Sequence, residues 1–101
     1  MATQNKTDID QLLADSLKQL ASKKLLEKIT IKEITDLAGV IRPTFYNHFQ
    51  DKFELLEWII KKELLEPVQP LIRNDMFTEA MLLLFTNIER DKAFYSHVVK
   101  L

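Results

Sequence analysis

Apolar residues recur at three- and four-residue spacing from Ile9 onward, through Leu12, Leu13, Leu17, Leu20 and Ala21. That is the period of a helix with one buried face. Thr7-Asp8 offers an N-cap, which predicts a first helix ending near Lys24. Thr30-Ile31-Lys32-Glu33 has the form of a capping box, in which the Thr30 hydroxyl accepts from the Glu33 amide and the Glu33 carboxylate reaches back to the Thr30 amide. The second helix that opens there is short, because Gly39 follows Ile34, Leu37 and Ala38, and glycine turns the chain through a left-handed conformation without steric penalty. A third helix then spans Arg42 to Phe49, with Pro43 in its first turn, where a missing amide is harmless. Asp51-Lys52-Phe53-Glu54 is a further cap signal. It opens a longer helix carrying Leu55, Leu56, Trp58, Ile59, Ile60, Leu64 and Leu65, which Pro67 and Pro70 are expected to stop. After a polar break at Arg73-Asn74-Asp75, Met76 to Arg90 reads as a helix whose stretch from Ala80 to Phe85 has no polar face, as in helices buried on several sides. Asp91 caps a last helix with Ala93, Phe94, Val98 and Val99 turned inward.

The single glycine, with 47% hydrophobic and 29% charged residues, fits this all-helical reading and argues against a sandwich or a disordered tail. A chain of 101 residues holds one compact domain, or one small domain and the opening of a second. The absence of cysteine removes disulfides and thiol chemistry. No apolar run approaches the roughly 18 residues of a membrane span, and the polar start from Met1 to Lys6 is unlike a signal peptide, so a soluble cytoplasmic protein with no membrane partner is expected. The net charge of -1 lacks the basic footprint of many nucleic-acid binders. Through Lys52 there are eight bases against seven acids, so any argument for DNA rests on pattern and not on charge.

The pattern is informative. Two short helices joined by a glycine turn, the second with a polar face, form a helix-turn-helix, whose second helix enters the major groove. Phe45 and Phe49 lie four apart and point to the core, which puts Pro43 and Asn47 on the opposite side, flanked by Thr44 and Tyr46. A small apolar group, an amide, a hydroxyl and a phenol suit base edges and phosphates.

The stretch from Ile29 to Leu56, ITIKEITDLAGVIRPTFYNHFQDKFELL, is similar without a gap to the DNA-binding signature of the TetR/AcrR family of transcription regulators. A threonine-led helix, an Ala-Gly-Val turn, a Thr-aromatic-Tyr helix, a His-Phe pair, a lysine and a Leu-Leu ending all recur at the family's spacing. The resemblance implies an all-α chain, with a three-helix DNA-binding domain at 7–52, a connecting helix at 53–66 and, at 71–101, part of a helical regulatory and dimerisation region. It implies that Tyr46, His48 and Lys52 hold phosphates. Lys32, Arg42, Pro43, Thr44 and Asn47 would face bases or backbone, with Thr30 at the head of the second helix beside them. One departure is Ile41, which stands where the family usually places a capping Ser or Thr, so the third helix is expected to be less well capped. Thr44-Phe45-Tyr46-Asn47 and Glu54-Leu55-Leu56-Glu57-Trp58-Ile59 also resemble, more loosely, the subgroup that includes dihydroxyacetone kinase regulators, some of which are activators or work with a protein coactivator. The implied partners are double-stranded DNA with a palindromic operator, a second subunit in a longer chain, and a small-molecule effector or protein coactivator. Family members are considerably longer, so a chain stopping at Leu101 would lack much of the effector-binding domain.

Other features carry less. Trp58 and its aromatic neighbours read as core before they read as a ligand box. His97 has no context that assigns it a role. With no cysteine, no glycine-rich phosphate loop, no metal-spaced histidine pair and no nucleophile beside a base, neither an enzyme nor a metal or cofactor site is expected. The alternative from another class is a helical protein-interaction module or coregulator that keeps the fold without binding DNA by itself.

Overall fold

In a computed structural model, which describes the backbone of residues 6–98 and the side chains of residues 9–98, the described elements are helical turns and helices with no strand among them. Helix α1 (Lys6–Ala21) leads to a 3-10 turn (Leu26–Lys28), then α2 (Ile31–Ala38), α3 (Arg42–His48) and α4 (Lys52–Ile60). A π turn (Lys61–Leu65) joins α4 to α5 (Glu66–Arg73), and α6 (Phe77–Arg90) and α7 (Lys92–Val98) complete the fold.

Helix α1 begins at Lys6, so Thr7 and Asp8 lie within it and not before it, and their side chains are outside the described residues, as is Val99. It ends at Ala21, short of Lys24, because its last carbonyls find other donors: Ser22 Oγ donates to Gln19 O at 2.7 Å and His97 Nδ1 to Ala21 O at 2.7 Å. Its inward stripe is Leu13, Ala14, Leu17 and Ala21, all fully buried, whereas Leu12 is at the surface. Helices α2, α3, α4 and α7 all pack on α1. Ile34, Phe45, Leu55, Ile59 and Phe94 come from these helices to fill the core.

The prolines do not stop the fourth helix. The chain stays helical through Pro67 and Pro70 to Arg73, because the turn at Lys61–Leu65 widens to π geometry just ahead of Pro67. A proline ring collides with the carbonyl four residues back and cannot donate to it, and a wider turn relieves the collision. That carbonyl, of Glu63, instead accepts from the Asn87 side-chain amide of α6 at 3.2 Å. The same turn is pinned to α1 and α7. Lys18 Nζ lies 2.7 Å from Glu63 and 2.6 Å from Asp91, and Tyr95 donates its hydroxyl to Glu63 at 3.1 Å. Burial alone would lower the Lys18 ammonium, but the two carboxylates outweigh it and hold it above its ordinary 10.5. Burial, reinforced by Glu63, pushes the Tyr95 phenol up.

In α7, Tyr95 takes the inward place expected of Ala93, which is exposed, and it stacks edge-on with Phe94 at 4.8 Å between ring centroids. The last helix therefore completes the core around α1. Beyond it, α5 and α6 stand off. The radius of gyration is 14.9 Å, against about 13 Å for a compact domain of this length. Ala80 is the only buried residue of α6, while Phe77, Met81, Leu82 and Phe85 are 49–62% exposed. The helix read as buried on several sides is thus largely uncovered within this chain.

Two expectations follow. Asn87→Leu removes the donor to a carbonyl that Pro67 cannot serve, and should destabilise the fold by about 1 kcal/mol or more in thermal or urea denaturation. Pro67→Ala in that background should recover part of the loss. Sedimentation of the 101-residue chain at micromolar concentration should show self-association, or the chain should bind an apolar dye, because several large side chains left in water at roughly 25 cal/mol per Å² forfeit several kcal/mol. A sharply melting, dye-silent monomer is the contrary result.

Candidate nucleic-acid interface

Helices α2 and α3 form the candidate site, and each is placed by local chemistry. The capping box at Thr30 is complete: its hydroxyl accepts from Glu33 N at 3.1 Å and its amide donates to Glu33 Oε1 at 2.9 Å. Gly39 ends α2 with φ +77°, and although a Cβ there would meet nothing within 4 Å, the backbone angle itself favours glycine. Ile41 precedes α3 in extended conformation and makes no side-chain cap, as its sequence position implied, and it is 67% exposed. Held by only seven residues, α3 relies on its two anchors, Phe45 fully buried and Phe49 nearly so.

With those anchors inward, Arg42, Pro43, Tyr46 and Asn47 are all exposed on the outer side of α3, and Thr44 is half-buried beside them. Among the described residues the side chains of Arg42, Tyr46 and Asn47 have no hydrogen-bond partner, which leaves a guanidinium, a phenol and an amide available on one short helix. The Tyr46 ring meets Phe45 edge-on at 5.5 Å, so its orientation is set from the core.

The remaining candidates are engaged within the chain. The Thr30 side chain is occupied by its cap, and Lys32 Nζ lies 2.8 Å from Asp36 on an exposed turn of α2, an i,i+4 pair weak enough for a phosphate to displace. Lys52 Nζ donates to the carbonyls of Leu26 at 2.8 Å and Ile29 at 2.6 Å. It ties α4 to the 3-10 turn and keeps one of its three donors in hand. Burial lowers the Lys52 ammonium below its usual value, with Glu27 and Glu33 opposing. His48, at the end of α3, has Nδ1 2.8 Å from Asp10 Oδ1 of α1. Its Nε2 has no partner among the described residues, none of which carries a buried unpaired side-chain nitrogen or oxygen, so solvent reaches that atom.

Asp10 is the residue that sequence reasoning missed. It lies three, four and seven positions before Leu13, Ala14 and Leu17, on the apolar stripe of α1, and is only 8% exposed. A carboxylate on a buried stripe was the available signal. Trp58 is partly buried core, edge-on to Phe49 at 6.3 Å. It also lines an open cavity of about 610 Å³ with Asp10, His48, Glu57 and Lys61. No group of three His, Cys, Asp or Glu residues suited to a metal occurs among the described residues, and no described helix is long and apolar enough to cross a membrane.

A helix-turn-helix on an all-α frame, with a short exposed second helix, defines a DNA-binding class of fold. Residues 14–59 match the family model described as bacterial regulatory proteins, tetR family. It is 27% identical over 88 residues to the HTH-type dhaKLM operon transcriptional activator DhaS of Lactococcus lactis subsp. lactis (strain IL1403), a match covering 87% of this chain and 47% of that protein. A solved structure described as dihydroxyacetone kinase operon activator DhaS superposes with a TM-score of 0.70 at 28% identity, over 86% of this chain and 49% of the other. The chain spans about half the length of these relatives.

The geometry at Lys52 separates two roles by experiment. Lys52→Met should destabilise the free protein by about 1 kcal/mol or more, because two carbonyls lose a charged donor. Denaturation without DNA measures this, and an unchanged midpoint would leave Lys52 with no role in the fold.

Proposed function

We propose that this chain is the DNA-reading part of a transcription regulator, which binds double-stranded DNA sequence-specifically with α3 in the major groove. The observation that carries the reading is the outer side of α3, where Arg42, Pro43, Tyr46 and Asn47 stand exposed while Phe45 and Phe49 lock the helix from behind. Asn47 and Thr44 have the hydrogen-bonding groups to read base edges, and Pro43 offers apolar contact to a thymine methyl. Lys32 and Arg42 face bases or backbone, and Thr30 lends the N-terminus of α2 to a phosphate. Tyr46, His48 and the spare donor of Lys52 hold phosphates and set the register.

Residues 7–52 make the DNA-binding unit, 53–66 the connection and 71–101 the opening of a regulatory and dimerisation region. In the complete regulator two subunits would place their α3 helices about 34–36 Å apart on a palindromic operator. The uncovered side of α6 belongs with such further structure, and an effector or a protein coactivator would act there. The protein works in the cytoplasm and is a regulator, not an enzyme. The relatives named as activators of dihydroxyacetone kinase operons support a role at a comparable promoter. The interaction-module alternative has less support, because it gives no reason for an exposed Arg, Tyr and Asn on one face of α3.

Duplexes selected from a random pool should bind more tightly than bulk sequence. Affinity should fall steeply with salt, with a log–log slope of roughly −5 if Lys32, Arg42 and Lys52 each release a counterion in two half-sites. Asn47→Ala should change the selected sequence, whereas His48→Ala should weaken all sequences alike. Failure to enrich any sequence would favour the interaction module, and a change of preference from His48→Ala alone would reverse the assignment of faces.

A further inference from the structure

The Asp10–His48 pair has a consequence for DNA binding that follows from counting hydrogens. Both side chains are largely withdrawn from solvent, at 11% and 14% exposure, and they join α1 to the end of α3 across 38 residues of sequence. One proton lies between Asp10 Oδ1 and His48 Nδ1 at 2.8 Å. If the ring is otherwise neutral, with Nδ1 carrying that proton, then Nε2 is a bare acceptor. A phosphate oxygen is also an acceptor. The two can meet only if Nε2 gains a hydrogen, so whichever member of the pair formally holds the shared proton, the assembly with phosphate contains one proton more.

We propose that Asp10 is a positioning residue for DNA binding, and that the Asp10–His48 pair takes up a proton as a backbone phosphate docks on His48 Nε2, so that affinity for DNA falls as pH rises. This rests on the reading of His48 as a phosphate contact. Asp10 acts through the ring and touches no DNA: it fixes the ring plane, and it keeps a negative charge against the imidazolium in a water-poor site. The other ionisable groups that share the cavity with the ring are Glu54 and Glu57 of α4 and Lys61 of the π turn. Glu54 accepts from the Gln50 amide at 2.6 Å. On α2, which also packs against α3, Glu33 and Asp36 are paired with Lys24 and Lys32. Side chains of Glu, Asp and Lys do not ordinarily change charge between about pH 6 and 8, so histidine is the group to which a pH response in that window is owed. The other histidine, His97, bonds Ala21 O at the far end of α1 and is the same in every variant below.

The test measures affinity of the full chain for a mixed-sequence DNA duplex at low salt, which reads phosphate contacts without needing the operator, from about pH 6 to about pH 8.5. The wild type should weaken with rising pH by up to about tenfold per pH unit for each docked half-site, the limit for one proton. His48→Gln should bind more weakly at the acid end and show a flattened profile. Asp10→Asn, which keeps an acceptor for Nδ1 but not the charge, should bind more weakly, with a pH profile that differs from the wild type's. A pH-independent wild type that His48→Gln still weakens would overturn the proton uptake and leave the phosphate contact standing. No effect of His48→Gln on affinity would remove the phosphate contact itself. An Asp10→Asn protein that matches the wild type in affinity and profile would overturn the role of Asp10, and if that variant fails to fold, the wild type against His48→Gln still decides on the proton.

Discussion

One face of α1 is the surface on which the rest of the molecule is assembled. Leu13, Ala14, Leu17 and Ala21 are fully buried along it, and α2, α3, α4 and α7 each rest on it. The dependence is strongest for α3. Seven residues are too few for a helix to be stable in water by itself, and Ile41 gives it no side-chain cap. Its direction is therefore set almost wholly by Phe45 and Phe49 in the α1 core and by the left-handed turn at Gly39 that delivers the chain to it. A shift of α1 would carry α3 with it.

Polar anchors refine what the apolar core sets. The Lys52 ammonium seats α4 on the 3-10 turn, Asp10 holds the last residue of α3, and Lys18 joins α1 to both Glu63 and Asp91. Each of these bridges elements distant in sequence, and each is partly or largely shielded from water, where a charge left unpaired is expensive. They are devices of alignment more than of net stability. Lys52 and Lys24 are committed to partners within the protein, whereas Lys32 is held only by an exposed i,i+4 pair.

The local signals were the legible ones. The cap at Thr30–Glu33, the turn at Gly39, the second cap at Asp51–Glu54 and the anchors at Phe45 and Phe49 all involve residues three or four apart, a range at which sequence nearly dictates geometry. The misreadings were non-local. Pro67 looked like a stop because the compensation comes from Asn87, in another helix, and from a widened turn that no periodicity announces. Ala93 gave way to Tyr95 because the phenol has a partner in Glu63, 32 residues earlier. Resemblance singled out His48 and Lys52 but had nothing to say about Asp10 or the carbonyls of Leu26 and Ile29, which engage their side chains within the protein.

The two ends of the molecule differ in completeness. The inward stripe of α1 is fully enclosed, whereas α6 buries only Ala80 and presents Phe77, Met81, Leu82 and Phe85 to solvent. That exposed apolar stripe is the observation behind the proposed further contact on α6. Its attachment to the rest is not loose. Asn87 of α6 bonds the Glu63 carbonyl within the π turn, the Glu63 carboxylate meets Lys18 of α1, and Asp91, just past the end of α6, meets the same ammonium. Helix α6 is thus separated by only two polar steps from α1, the helix that orients α3. The π turn lies at the middle of that path. The exposed apolar stripe of α6 and the outer side of α3 are accordingly joined through α1.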